Sequence, residues 1–249
     1  MYSREGRLIG EEVRRPHFTQ VIPWDENYAV RMRVAGGEED QTQYSTIQFL
    51  DGKTTELREL YRQPFAGQRQ LLDMIPDSIH VQVYEGNLYV DKSPQGCVID
   101  VCDPLGRKLR EIRVDAGKRR VTRADRLHYE RLLRKDPMMK IQEENWEQFK
   151  TRTRLHYPEY YPAIRDFMIS DDRIYVQTFR DEDQKTEYLV LDLNGSLLAK
   201  VFLPRVREPG FTEQMMGTGV RLYAFAMDSF YYLVETPEAV ELLAVELTR

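Results

Sequence analysis

The sequence predicts an all-β fold, a β-propeller of about four four-stranded antiparallel blades interrupted by one helical insertion. Two series of motifs, and a gap that both share, carry that prediction. The first series is a tight turn. DLNGSLL holds Asp192, Gly195 and Leu198, and DPLGRKL repeats the spacing with Asp103, Gly106 and Leu109. Looser copies are SREGRLI around Gly6 and FLDGKTT around Gly52. Glycine at this place supplies the positive φ that a tight turn requires. The second series is a short polar turn leading into an aromatic and β-branched strand: WDENYAV, YEGNLYV, SDDRIYV and MDSFYYL. With Val30, Val90, Val176 and Tyr232 in register the steps are 60, 86 and 56 residues, while the glycines step by 46, 54 and 89. The long step falls between the same units in both series and locates the insertion at residues 117–155.

Taken along the chain, each unit runs strand, polar turn, strand, charged loop, strand, glycine turn, strand. Alternation in EYLVLDL and LLAKVFL gives such a sheet two faces for its neighbours. The chain opens on the turn at Gly6 and one strand, RLIGEEVRR, and closes on three, VRLYAFAM, FYYLVE and VELLAVEL. Those pieces sum to one blade, with three fuller blades between them. Residues 1–249 form one propeller domain on this reading, and a β-sandwich with a helical insertion is the rival fold. Within the insertion, Thr122 followed by Asp125 approximates a capping box opening a helix, with Leu127, Leu132 and Leu133 along one side. A second helix starts at Pro137, and Met139, Trp146 and Phe149 share its face.

The run PAIRDFMISDDRIYVQT, followed by EYLVLDLNGSLLAKVFLP, resembles bacterial six-bladed β-propellers of the NHL-repeat-like kind. The resemblance covers nearly all of the chain outside the insertion. It implies blade architecture and an exported protein, and it implies no particular activity, since propellers host enzymes, receptors and scaffolds alike. About four blades where the family has six leaves two readings, a four-bladed ring closed by the two ends or the C-terminal part of a longer propeller, and the second is expected. Further blades and an export signal are then expected upstream of Met1.

Composition narrows the function. A net charge of −5 and a pI near 5.6 argue against a dedicated nucleic-acid binder. No apolar run reaches the 18 residues of a membrane span. The charge is uneven: residues 107–154 hold 16 Lys and Arg against 8 Asp and Glu, a net of +8. Solvated helix faces account for that excess without a nucleic-acid partner. Cys97 and Cys102, five apart on a strand, point to opposite faces and act as packing residues rather than a disulfide or a metal pair. The four histidines, His17, His80, His128 and His156, lack metal spacing, and the acidic loop RDEDQKTE lacks the glycine and distal Glu of a calcium loop. No cofactor or metal is expected.

Register gives the candidate site. Gln20, His80, Asp166 and Leu222 fall at one level early in the first strands of the units, and Arg165 and Arg221 stand beside them. In a propeller such positions gather at one mouth of the central channel. Gln20, His80, Arg165, Asp166 and Arg221 are therefore the expected ligand-binding residues, with the two arginines suited to a carboxylate or phosphate. The expected role is binding or scaffolding by a monomer, with a small anionic ligand or a protein as partner. The alternative is a propeller hydrolase or lyase of the sugar-lactonase type, working through a divalent cation in the channel.

Overall fold

A computed structural model describes residues 18–36, 42–65, 67–68, 71–137, 139, 145–207, 210–216, 221–236 and 238–247. The fold is all-β, built mainly from several four-stranded antiparallel sheets. The first sheet holds β1 (Phe18–Trp24), β2 (Asn27–Ala35), β3 (Gln43–Leu50) and β4 (Leu57–Pro64), paired in chain order. A short mixed sheet follows: β5 (Gly67–Gln68) is antiparallel to β6 (Leu71–Asp73), and β6 is parallel to the much later β11 (Arg154–His156). The second four-stranded sheet is β7 (Val81–Tyr84), β8 (Asn87–Asp91), β9 (Cys97–Cys102) and β10 (Lys108–Val114). Helices α1 (Arg123–Lys135) and α2 (Trp146–Arg152) come next, inside the span expected for the insertion. The third four-stranded sheet is β12 (Asp166–Ser170), β13 (Arg173–Glu182), β14 (Lys185–Asp192) and β15 (Leu197–Pro204). After the short helix α3 (Phe211–Met216), β16 (Tyr223–Ala226), β17 (Ser229–Glu235) and β18 (Val240–Glu246) form a three-stranded sheet. The expected opening turn at Gly6 and the strand RLIGEEVRR lie outside the described residues.

Local chemistry explains the hairpins. All four polar turns close with two residues between the strands, at the pairs Trp24↔Asn27, Tyr84↔Asn87, Ser170↔Arg173 and Ala226↔Ser229. Asp25, Glu85, Gly86, Asp171, Asp172, Met227 and Asp228 take positive φ there, the conformation that suits a two-residue hairpin to the twist of its strands. Gly106 and Gly195 sit at φ 70 and 93, and each donates its N–H to the carbonyl of the aspartate three residues back, Asp103 or Asp192. The third copy works differently. Positive φ falls on Thr55, and Gly52 is needed for space, since a Cβ there would lie 1.9 Å from the carbonyl oxygen of Glu26.

Period-two alternation then decides which sheet packs on which. In β8, Leu88 and Val90 pack toward the first sheet and Tyr89 toward the third. In β13 and β14, Ile174, Val176, Leu189 and Leu191 join the core shared with the second sheet, while Tyr175, Tyr188 and Val190 join the core shared with the last. Cys97 and Cys102 follow the same rule and sit in different cores, both as free thiols. Burial pushes them up to about 12 and about 11, so they stay protonated and inert. The sheets thus pack face to face in chain order, and their first strands are neighbours: β1 beside β7, β7 beside β12, β12 beside β16. The first turns are tied in the same order. Trp24 Nε1 donates to Gly86 O, the Asp172 N–H to Tyr84 Oη, and the Met227 N–H to Asp171 Oδ2.

The helices form a separate core with β6 and the residues after it, made of Leu72, Met74, Ile75, Tyr129, Leu133, Trp146 and Phe211. Thr122 and Asp125 form a complete capping box on α1. The buried side of that helix is Tyr129 and Leu133, one turn apart, rather than the expected stripe through Leu127. Leu127 is 50% exposed because five residues from Leu132 turn it away from that face. Helix α2 starts at Trp146, and of the stretch expected to lead into it from Pro137, residues 138 and 140–144 lie outside the described residues. No helix among the described residues is long and apolar enough to cross a membrane.

Candidate functional site

The site is a cavity of about 310 Å³ at the N-terminal ends of the first strands, where the second, third and last sheets meet the first. Gln20, His80, Asp166 and Leu222, the four positions aligned by register, all line it, and so do Arg165 and Arg221. Backbone pairing fixes their level. The Asp91 N–H donates to His80 O, the Arg165 N–H to Gln177 O, and the Leu233 N–H to Leu222 O, so each precedes or opens a first strand in equivalent register. The remaining wall brings residues that register did not single out. Arg31 comes from β2, Gln177 and Phe179 from β13, Arg205 and Arg207 from the loop after β15, and Glu213 and Gln214 from α3. Ser78 Oγ donates to the carbonyl of Gln214, which holds α3 against the cavity.

Asp166 is the centre of the polar network. Its Oδ2 accepts from Arg221 Nε at 2.7 Å and from Tyr223 Oη at 2.7 Å. Its Oδ1 accepts from Arg221 Nη2 at 2.5 Å and from the Phe167 N–H at 2.8 Å. Burial alone would raise this carboxyl, but the Arg221 and His80 charges and these hydrogen bonds outweigh it and hold Asp166 below the usual carboxylate range. The fork of Arg221 is thus engaged by Asp166, and Arg165 lies 3.6 Å from Asp181 with its guanidinium over the Phe179 ring.

His80 makes the second cluster. Its Nδ1 lies 2.6 Å from Oδ2 of Asp91, a carboxylate with no exposed surface. Burial would lower the imidazole, but the charge and hydrogen bond of Asp91, followed by the charge of Asp166, outweigh it and raise His80 above its ordinary value. Arg31, itself buried, donates through Nη2 to the carbonyl of Ile79, next to His80.

The segment 73–80 divides this cavity from a second one of about 370 Å³. Pro76, Ser78 and His80 face the first, while Asp73, Ile75 and Asp77 face the second, the alternation expected of extended backbone. In the second cavity His156 Nδ1 lies 2.5 Å from Asp73 Oδ1 across the parallel β6–β11 pair. Burial, then the neighbouring Asp91, push the Asp77 carboxyl up to about 8. Among the described residues, no group of three or more His, Cys, Asp or Glu side chains is gathered as a metal-ligand set.

Sequence reasoning missed Arg31, Arg205, Arg207 and Glu213. Arg31 had a legible signal, a charge in the strand NYAVRMRVA whose alternation places it on a buried face. The others sit on a loop and a short helix outside the repeat, where period carries no information.

No family model and no curated protein matches the chain. Among solved structures it is similar to hydrazine synthase of Kuenenia stuttgartiensis, at 11% identity over 98% of this chain and 67% of that one, with a TM-score of 0.33. A likeness that low carries nothing of that protein's fold or activity to this chain.

Proposed function

We propose that the protein is a propeller-type binding module, NHL-like in its blades, whose cavity at the converging first strands takes a small anionic ligand. The observation that carries this reading is the lining itself. Five arginines, Arg31, Arg165, Arg205, Arg207 and Arg221, and His80 line one small cavity whose wall holds two carboxylates, Asp166 and Glu213. Guanidinium groups match carboxylate and phosphate oxygens in paired hydrogen bonds, and a recessed, partly desolvated site strengthens each of them. The propeller part of the proposal is supported by sheets that pack face to face in chain order, with first strands adjacent and first turns tied in sequence. A binding role fits the side chains available. Both clusters hold their charges in fixed pairs, which suits recognition.

Thermal unfolding in a panel of anions at matched ionic strength tests the ligand class. An anion that occupies the cavity stabilises the native state by RT ln(1 + [L]/Kd), about 2.7 kcal/mol at one hundred times Kd. Arg165→Ala should remove most of that stabilisation, read as the shift from the variant's own unliganded midpoint, since the side chain also pairs with Asp181 and covers the Phe179 ring. If no anion raises the midpoint beyond chloride at the same ionic strength, the cavity is not an anion site.

A further inference from the structure

The cavity's charge can be counted further, taking in the carboxylates that stand behind its lining. Asp166 faces Arg221, Asp181 lies 3.6 Å from Arg165 and 3.4 Å from Arg205, and Glu235 lies 3.9 Å from Arg207. Asp91 lies beneath His80, and Glu213 is in the wall. Among the described residues, these five arginines stand with five carboxylates, and the set is formally neutral when His80 is neutral. Asp77 stands behind Asp91 and is uncharged below about 8, so it does not change the count near neutral pH. The surplus charge comes to rest on one group. With Nδ1 of His80 committed to Asp91, Nε2 is the nitrogen left to titrate, and its protonation gives the cavity a net charge of +1.

Much of the remaining wall is apolar: Val81, Ile164, Phe179, Val206 and Leu222. A volume of about 310 Å³ is at the small end of ligand cavities, which are mostly apolar with a few placed polar groups. We propose that the ligand is a monocarboxylate with an apolar body, bound together with one proton on His80. The proposal rests on the anion reading above and names its ligand class. A single carboxylate neutralises the +1 cavity, whereas a phosphate dianion would leave it at −1 in a partly desolvated site. The apolar wall takes the body of the acid, and its arginines and the imidazolium take the head. The groups that face His80 are Asp91 on β8, Arg31 on β2, Asp166 on β12 and Asp77 on its own segment. With Asp77 uncharged near neutrality, two charged carboxylates, Asp91 and Asp166, against one guanidinium favour the protonated ring. A ligand that requires this proton must in turn raise the affinity of His80 for it, because coupling between two binding events is reciprocal.

The test is an NMR titration of the histidine rings in the full chain, with His80→Gln used to assign the His80 signal. It is run in chloride, acetate, hexanoate, phenylacetate and inorganic phosphate at matched ionic strength. Hexanoate or phenylacetate should raise the His80 midpoint by about one unit or more over chloride, with acetate weaker. Above that midpoint their affinity should fall about tenfold per pH unit, the signature of one bound proton. In His80→Gln that pH dependence should flatten. The wild-type titration decides the matter even if the variant does not fold. Carboxylate binding that leaves the His80 midpoint unmoved overturns the proton coupling. Phosphate binding tighter than either apolar acid overturns the ligand class and leaves the anion reading standing. No response to any anion overturns the anion reading itself, and this proposal with it.

Discussion

Replacing Asp166 by Asn keeps the shape of the side chain and removes the charge that organises the cavity wall. The carboxylate accepts four hydrogen bonds, two from Arg221, one from Tyr223 and one from the Phe167 N–H. An amide can accept through its oxygen, but its NH₂ must face a donor, which leaves the Arg221 fork half-satisfied. Breaking a fully buried ion pair from one side costs about 3–5 kcal/mol. The Arg221 side chain is 33% exposed and keeps its bond to the Phe167 carbonyl, so water recovers part of that. We expect a loss of about 2–3 kcal/mol, read as a lower urea midpoint with an unchanged slope. The pH dependence has a defined sign. Asp166 is held below its unfolded value, so its contribution is complete above the ordinary carboxylate range and is lost as pH falls through the folded value. The gap between wild type and variant should grow somewhat as His80 takes its proton, because the Asp166 charge favours that proton, and then close on the acid side of about 4 as Asp166 itself is protonated. A loss under about 0.5 kcal/mol, the range of an exposed ion pair, or a gap that persists below the carboxylate range, would refute this account of the wall.

Two pairs of substitutions test the fold in the same urea assay. Gly86→Ala meets no atom within 4 Å and carries only the strain of φ 75, about 1–2 kcal/mol, whereas Gly195→Ala at φ 93 also drives a Cβ to 2.7 Å from Ile112 Cγ2 and should cost about 1–3 kcal/mol more. Equal losses would show that the Gly195 turn is not packed on the neighbouring sheet. Leu133→Ala, at a fully buried position of α1, should cost about 2–5 kcal/mol, and Leu127→Ala, half exposed on the same helix, less than about 0.5 kcal/mol. A reversed order would place the apolar face of α1 on the stripe expected from sequence.

The repeat was legible because each of its signals has a local cause. A two-residue turn needs positive φ, which favours Asp, Asn or Gly although Glu85 and Met227 also take it here, and it stands between strands whose side chains alternate. Those constraints act over fewer than ten residues, so they survive in WDENYAV and SDDRIYV without any knowledge of the partner sheet. The capping box at Thr122 was legible for the same reason. What could not be seen depends on distant chain. Strand β6 is three residues long and, among the described residues, pairs with a two-residue strand and with β11, more than eighty residues later, so neither length nor period marks it. Leu127 misled because a leucine count along a helix ignores the angle between positions, and Tyr129 was passed over for want of that angle. Gly52 kept its glycine for a backbone approach while its turn took positive φ elsewhere, a distinction invisible in the motif.

The positions aligned by register line one cavity for a geometric reason. Successive sheets present their first strands side by side, and Gln20, His80, Asp166 and Leu222 each lie four residues before the last strand residue at their two-residue turn. Turns tied edge to edge hold the sheets at one height, so residues before the strands are forced to one end. Polar side chains there lose water, which Asp91 and Asp166 can bear in charged form only because His80 and Arg221 are fixed against them. Those pairs are complete without a ligand. Their geometry is set by β7, β8, β12 and the start of β16, while Arg205 and Arg207 come from a loop. The floor of the cavity is therefore held by paired strands and its rim by a loop. Selectivity should accordingly follow the charge state of the floor, and substitutions at Arg205 and Arg207 should alter affinity more than they alter which anion is preferred.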